Sequence, residues 1–297
     1  MSVPACFADD GLTSFAAAYP GESAPVQHRL HDHPLFRLEG LAALAGRLPD
    51  SHVEHNLGNL SVDQTPEAIQ RAAMSPAEIV RTIADNGCWM VLKKVDTDPA
   101  YAALIDACLA EIAPVVKPAT GDYRRREAFI FLSAPNSVTP FHMDPEHNIL
   151  LQIAGRKTMR VYPAGDLSIV PQAVHEAFHR GGSHRNMRHD RAFDAKARDF
   201  AMGPGEAVYV PVKAPHWVQN GGEPSISFSI TWRSTMSDGE ARLHRVNQRM
   251  RGLGIEPGAP GASPGLDAAK VAGHRLFKGA VAAARRAIGK ERDRAAY

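Results

Sequence analysis

The stretch Thr139-Pro-Phe-His142-Met-Asp144, answered far downstream by Pro215-His216-Trp217, places two imidazoles and one carboxylate in the order His-x-Asp…His. Such a set occupies one face of an octahedral metal ion and leaves the other positions open, the arrangement of non-heme Fe(II) centres that handle oxygen. In a chain with 14 histidines a His-x-Asp arises readily by chance, so the triplet alone argues only for a metal. A competing constellation is His175-Glu176-Ala-Phe-His179, a literal H-E-x-x-H. On a helix these histidines would share one face with Glu176 as general base, the arrangement of a zinc metalloprotease. Its flanks argue against it. The third histidine expected there falls on Arg185, with His184 one residue early, and Pro171 and Gly181-Gly182 confine any helix to about two turns.

Elements must hold these residues in place. From Glu127 the chain turns to short β-rich segments: Ala128 to Ser133, Asn148 to Ile153, Thr158 to Tyr162, Ala207 to Val212 and Ser225 to Trp232. Turns with Gly, Pro or Asn separate most of them, and no helices alternate with them, which points to a jelly-roll or cupin-type barrel. Interval 164–200 interrupts the pattern with a charged, His-rich insertion expected to carry one short helix and to line the mouth of the barrel. Before the barrel, residues 1 to 35 read as an extended arm and Phe36 to Leu48 as a helix. Ser75-Pro76-Ala-Glu78 starts a second helix with an N-cap, a proline at the first helical position and a glutamate at the third. Cys88 to Val95 reads as a strand and Asp98 to Val116 as an amphipathic helix. After the barrel, Ser237 to Leu253 and Leu266 to Ile288 read as helices around the linker Pro257 to Pro264. The expected organisation is an N-terminal elaboration, 1–120, of α-helices and extended chain packed on the core, a mainly β double-stranded β-helix, 121–236, with the insertion 164–200, and a basic C-terminal helical tail, 237–297.

Beyond the triplet, Asn148, Gln152, Gly155-x-Lys157 and Pro163 follow Asp144 at fixed steps. With them the segment resembles the JmjC and cupin-like Fe(II)/2-oxoglutarate oxygenases, in the branch typified by the asparaginyl hydroxylase of hypoxia-inducible factor. The resemblance is strongest over residues 127–163 and 203–233. It implies that His142, Asp144 and His216 bind iron and that Thr139 and Lys157 hold the distal carboxylate of 2-oxoglutarate, with Asn148 supporting co-substrate or metal. A dicarboxylate with its keto acid on a metal does need a buried cation and a hydroxyl donor at its far end. The resemblance further implies O2 as co-substrate, succinate and CO2 as products, and hydroxylation of a protein side chain or small molecule. One departure is the last strand, Ser225 to Trp232, which lacks the asparagine of the hypoxia-related enzyme and instead alternates Ser225, Ser227, Ser229 and Thr231, all expected to face inward. A noncatalytic cupin-like regulator, with the same pocket as a ligand switch, is the alternative outside enzymology.

Bulk properties exclude several classes. From Glu240 onward the chain holds 12 Lys or Arg against 5 Asp or Glu, so the tail carries +7 and the body −5 of a net +2. That distribution carries no strong nucleic-acid signal, and the basic tail is expected to pack on the body or pair with a second copy rather than to lie on a membrane. Cys6, Cys88 and Cys108 form neither a disulfide framework nor a C-x-x-C knuckle, which suits a reducing cytoplasm. The N-terminal residues, with Asp9, Asp10 and Gly11, lack a secretory pattern, and no apolar run of about 18 residues is read as crossing a membrane.

Overall fold

The computed structural model describes residues 5–58, 61–63, 72–181, 187–274, 276, 279–280 and 283. By their contacts these residues form two compact units, 1–170 with 183–237, and 171–182 with 238–297.

The first unit holds eleven strands in two antiparallel sheets: β1 (Ala24–Gln27), β2 (Val53–Leu57), β3 (Cys88–Lys93), β4 (Tyr123–Ser133), β5 (Val138–His142), β6 (His147–Ala154), β7 (Lys157–Val161), β8 (Arg198–Met202), β9 (Glu206–Val210), β10 (His216–Asn220) and β11 (Ser225–Ser234). A seven-stranded sheet runs β1-β9-β6-β11-β4-β3-β2 and a four-stranded sheet runs β5-β10-β7-β8. This is the jelly-roll expected from the strand spacing, although that spacing does not mark β1, β2, β5, β8 or β10 as strands. The N-terminal region contributes to the larger sheet, since β1, β2 and the expected strand β3 extend it at both edges.

Alternation along the central strands assigns the two faces. Ile130, Leu132, Ile149, Leu151, Phe228, Ile230 and Trp232 point to a core shared with helices α1 (Asp9–Ala18), α2 (Leu38–Arg47), α3 (Pro76–Arg81) and α4 (Pro99–Thr120). Leu150, Val208 and Val210 point the other way, onto Met159, Val161, Phe200 and Val218 of the smaller sheet. Helix starts follow the cap chemistry: Ser75 accepts from the Glu78 N–H ahead of Pro76, and Asp98 accepts from the Ala100 N–H ahead of Pro99. α4 runs four residues beyond the expected end, past Pro118, until Gly121 at φ 81° stops it. By length and composition it is apolar enough to cross a membrane, contrary to the sequence reading. Here its Tyr101, Leu104, Ile105, Cys108, Leu109, Ile112 and Val116 are buried in the core instead.

Two local features bear on the site. Gly155, in the turn between β6 and β7, sits at φ 69°, and an added Cβ would come within 2.2 Å of the Pro224 carbonyl oxygen. No other residue fits there, so the turn delivers Lys157 at a set register. Nearby, His28 is buried after β1, accepting at Nδ1 from the Leu30 N–H and donating from Nε2 to the Gln152 carbonyl. Burial lowers its pKa from 6.5 to about 4, so the unfolded chain takes up a proton that the folded chain refuses. The folded pKa is depressed, hence stability is lost as pH falls from 6.5 towards 4, by up to about 3 kcal/mol. Urea unfolding at stepped pH should show this loss in the parent protein and a shallower one in His28→Asn.

The second unit contains α5 (Gln172–His179), the body of α6 (Thr235–Gly252) and a helical stretch at 264–274. Within it, Asn247 donates to the Gly258 carbonyl and Gln172 to the Pro257 carbonyl, which folds the Pro/Gly segment back on the helices. Much of the second tail helix expected at 266–288 lies outside the described residues.

Candidate metal centre

β5 and β10 are neighbours in the smaller sheet, and their register sets His142 directly opposite His216. The two rings lie 4.1 Å apart at 57°, with Nε2 of each 3.8 and 3.7 Å from Asp144 Oδ2. Donor atoms of all three residues fall within 4.8 Å of one another, and no other group of described residues meets that condition. Each imidazole is oriented by its own backbone. His142 Nδ1 lies 2.7 Å from the Pro140 carbonyl and His216 Nδ1 2.9 Å from the Ala214 carbonyl. A carbonyl can only accept, so both Nδ1 atoms carry the proton and each Nε2 presents a lone pair of the kind that ligates a metal. Asp144 is held from behind by the Lys213 N–H, which donates to its carbonyl at 2.9 Å from a left-handed backbone, φ 64°.

A cavity between the two sheets opens on these donors. It is lined by Thr139, His142, Asp144, Asn148, Lys157 and His216, which are all six residues singled out in the sequence, and by Trp89, Phe131, Ser133, Leu150, Met159 and Val218. Lys157 is buried and makes no hydrogen bond or ion pair among the described residues, and desolvation lowers its pKa from 10.5 to about 7. Asn148 accepts from the Ser229 hydroxyl at 2.8 Å, which fixes its amide. Trp89 is the residue that sequence reading missed. It is 6% exposed, yet its indole N–H has no acceptor among the described residues. Register explains its place: Trp89 pairs with Ser133 across β3 and β4, so both belong to the cavity face. A buried ammonium and a buried indole N–H without acceptors in one cavity form a ready carboxylate site.

Other expectations resolve locally. The inward hydroxyls of β11 bond within the sheet, Ser227 to Gln152 and Ser229 to Asn148, and none lines the cavity. Glu146, beside Asp144, takes two donations from Arg233, at 2.9 and 2.8 Å. Burial, and then the Asp144 charge, push its pKa up to about 7 against the pull of Arg233. Within the charged, His-rich insertion, His184 and Arg185 lie outside the described residues. His189 packs against Phe141 and lies within hydrogen-bond reach of Tyr162 and Asp194. H-E-x-x-H does form helix α5, but Glu176 is fully buried, with its oxygens taken by Arg251 at 2.9 and 3.2 Å and by Gln172 at 2.8 Å. A carboxylate so committed cannot activate water, which removes the metalloprotease reading.

Jelly-roll sheets enclosing a His-x-Asp…His set define a cupin-type metal-site protein. Residues 55–238 match the family described as Cupin-like domain, and the chain belongs to it. Over 101 residues it is 28% identical to Lysine-specific demethylase 8 of Xenopus tropicalis, a stretch covering 32% of this chain and 22% of that protein. Over 102 residues it is 31% identical to Lysine-specific demethylase JMJ30 of Arabidopsis thaliana, covering 32% and 23%. Among solved structures, ycfD of Escherichia coli shares the fold with a TM-score of 0.50 at 15% identity, over 85% of this chain and 60% of that one. The matched stretch thus spans under a quarter of either curated relative.

Proposed function

We propose that this protein is an Fe(II)- and 2-oxoglutarate-dependent oxygenase that hydroxylates a protein side chain or a small molecule, releasing succinate and CO2. One observation carries the reading: three metal donors within 4.8 Å share a cavity with an unpaired buried lysine. The donor set suits iron, because one carboxylate and two neutral imidazoles on one face leave open positions for a bidentate keto acid and for O2. In this reading His142, Asp144 and His216 hold the metal, Lys157 and Thr139 take the distal carboxylate of the co-substrate, and Asn148 supports it from β6. With iron and 2-oxoglutarate bound, the centre supplies an oxidant able to break a C–H bond. The chain's own part is to orient both imidazoles, keep a dry cation for the carboxylate and exclude water between the sheets. Three free cysteines suit the reducing cytoplasm as its compartment, and the C-terminal helices are the surface through which a homodimer would form.

Anaerobic addition of 2-oxoglutarate to the Fe(II) protein should produce a metal-to-ligand charge-transfer band, and oxygen should then yield succinate. A screen of peptides, amino acids and metabolites would find the partner that stimulates succinate release and gains one oxygen in mass. Metal uptake with no succinate under any substrate would favour a ligand-binding regulator, and loss of a methyl group instead of gain of oxygen would favour demethylation. Trp89 adds a prediction. Trp89→Phe keeps the ring and removes only the N–H, so the KM for 2-oxoglutarate should rise roughly 5- to 10-fold with kcat little changed. An unchanged KM would take Trp89 out of the carboxylate site.

A further inference from the structure

Although Glu176 is committed elsewhere, α5 still gathers imidazoles. His175 and His179 stand four residues apart and share one face of that helix. α6 offers Glu240 and His244 at the same spacing, with His244 Nε2 3.6 Å from Glu240 Oε1. The His244 ring lies 4.8 Å from the His179 ring at 16° and 5.6 Å from the His175 ring at 32°. His175 and His244 are both 2% exposed, and neither ring nitrogen of His244 makes a hydrogen bond among the described residues. An apolar side chain would fill that volume without burying two ring nitrogens that make no hydrogen bond.

We infer that His175, His179, Glu240 and His244 form a second metal site, separate from the His142, Asp144 and His216 centre, which binds Zn²⁺ or a similar borderline ion for structural purposes. Neutral imidazoles and a carboxylate are zinc ligands, and structural zinc is almost always four-coordinate. Two helices, each giving an i, i+4 pair, supply four donors. These donor atoms do not all lie within 4.8 Å of one another as those of the first centre do, so binding one ion requires the imidazoles to turn about χ2 towards it. With Glu176 held by Arg251 and Gln172, the carboxylate of the H-E-x-x-H motif is not available to activate a bound water. The ion would staple the helix of segment 171–182 to α6 within their common compact unit.

The test uses the full chain with the first centre disabled, H142A/D144A, and Zn²⁺ alone as the probe in competition with a chromophoric chelator. This protein should bind one equivalent of zinc, and its Tm should rise on binding. Co²⁺ in the same site should give the intense visible absorption of a tetrahedral ion. Adding His244→Asn should remove the binding and the Tm rise, and His244→Cys, which keeps a zinc ligand, should restore both. His175→Asn provides the same comparison if the His244→Asn chain does not fold. No zinc uptake by H142A/D144A, or equal uptake with and without His244, would overturn the site and leave a packing cluster of histidines. Because this background lacks the first centre, either outcome is independent of the oxygenase reading.

Discussion

Asp144→Ala is expected to lose Fe(II) at concentrations that saturate the parent protein, and with it the succinate signal, by more than the roughly 100-fold typical of a merely supporting residue. Asp144 is the only carboxylate in the donor set, so its removal leaves two neutral imidazoles to hold a dication. The fold should survive. Asp144 engages the loop before β10 through its backbone carbonyl, which accepts from the Lys213 N–H and is untouched by the substitution. Removing the charge also relieves Glu146, whose pKa is raised in part by Asp144. The Tm of the metal-free protein should therefore hold or rise slightly as iron binding is lost. Iron content by mass spectrometry, read beside a thermal melt, checks both halves. A stable Asp144→Ala protein with full iron content would show that the metal sits elsewhere, and iron loss on His175→Asn instead would point to α5.

How much of this was legible depends on the range of the interaction that carries it. His142, Asp144, Asn148 and Lys157 fall within one stretch of chain, and the β6–β7 turn with its obligatory Gly155 sets their relative register, so local spacing suffices to read them. His216 joins them through the β5–β10 pairing; the His-x-Asp…His order marked it as the third donor, but local spacing cannot show which strand it pairs with. Trp89 could not be read at all. In an all-buried strand such as Cys-Trp-Met-Val-Leu, polarity does not mark the two faces, and only pairing with Ser133 shows which one meets the cavity. Strands β1 and β2 were missed for a related reason: they are four and five residues long, and their stability comes from the partners β9 and β3 rather than from pattern. The partner of the insertion helix was equally hidden, because Glu176 and Arg251 meet across 75 positions of sequence.

Lys157→Met should raise the KM for 2-oxoglutarate by roughly 100-fold or more, because a buried carboxylate would lose the cation that faces it, a cost of about 3 kcal/mol or above. Iron binding should be unaffected, since Lys157 lies on β7 and donates nothing to the metal set. The pH dependence gives a sharper check. In the free protein burial holds the Lys157 pKa at about 7, and an opposing carboxylate would raise it, so co-substrate binding takes up a proton above that pH. Apparent affinity should then fall about tenfold for each pH unit above 7 in the parent and be flat in Lys157→Met. Stability should move the other way. Between pH 7 and 10.5 the unfolded chain holds a proton on this lysine that the folded chain gives up, so the parent gains stability with rising pH across that window and bears a penalty below it. That penalty is on the order of 4 kcal/mol near neutrality, and a methionine of similar length removes it. A variant that is more stable, retains iron and has lost its co-substrate would mark Lys157 as a residue kept for binding at the expense of folding. A Lys157→Met protein no more stable than the parent, with unchanged KM, would mean that the ammonium faces solvent and takes no part in the site.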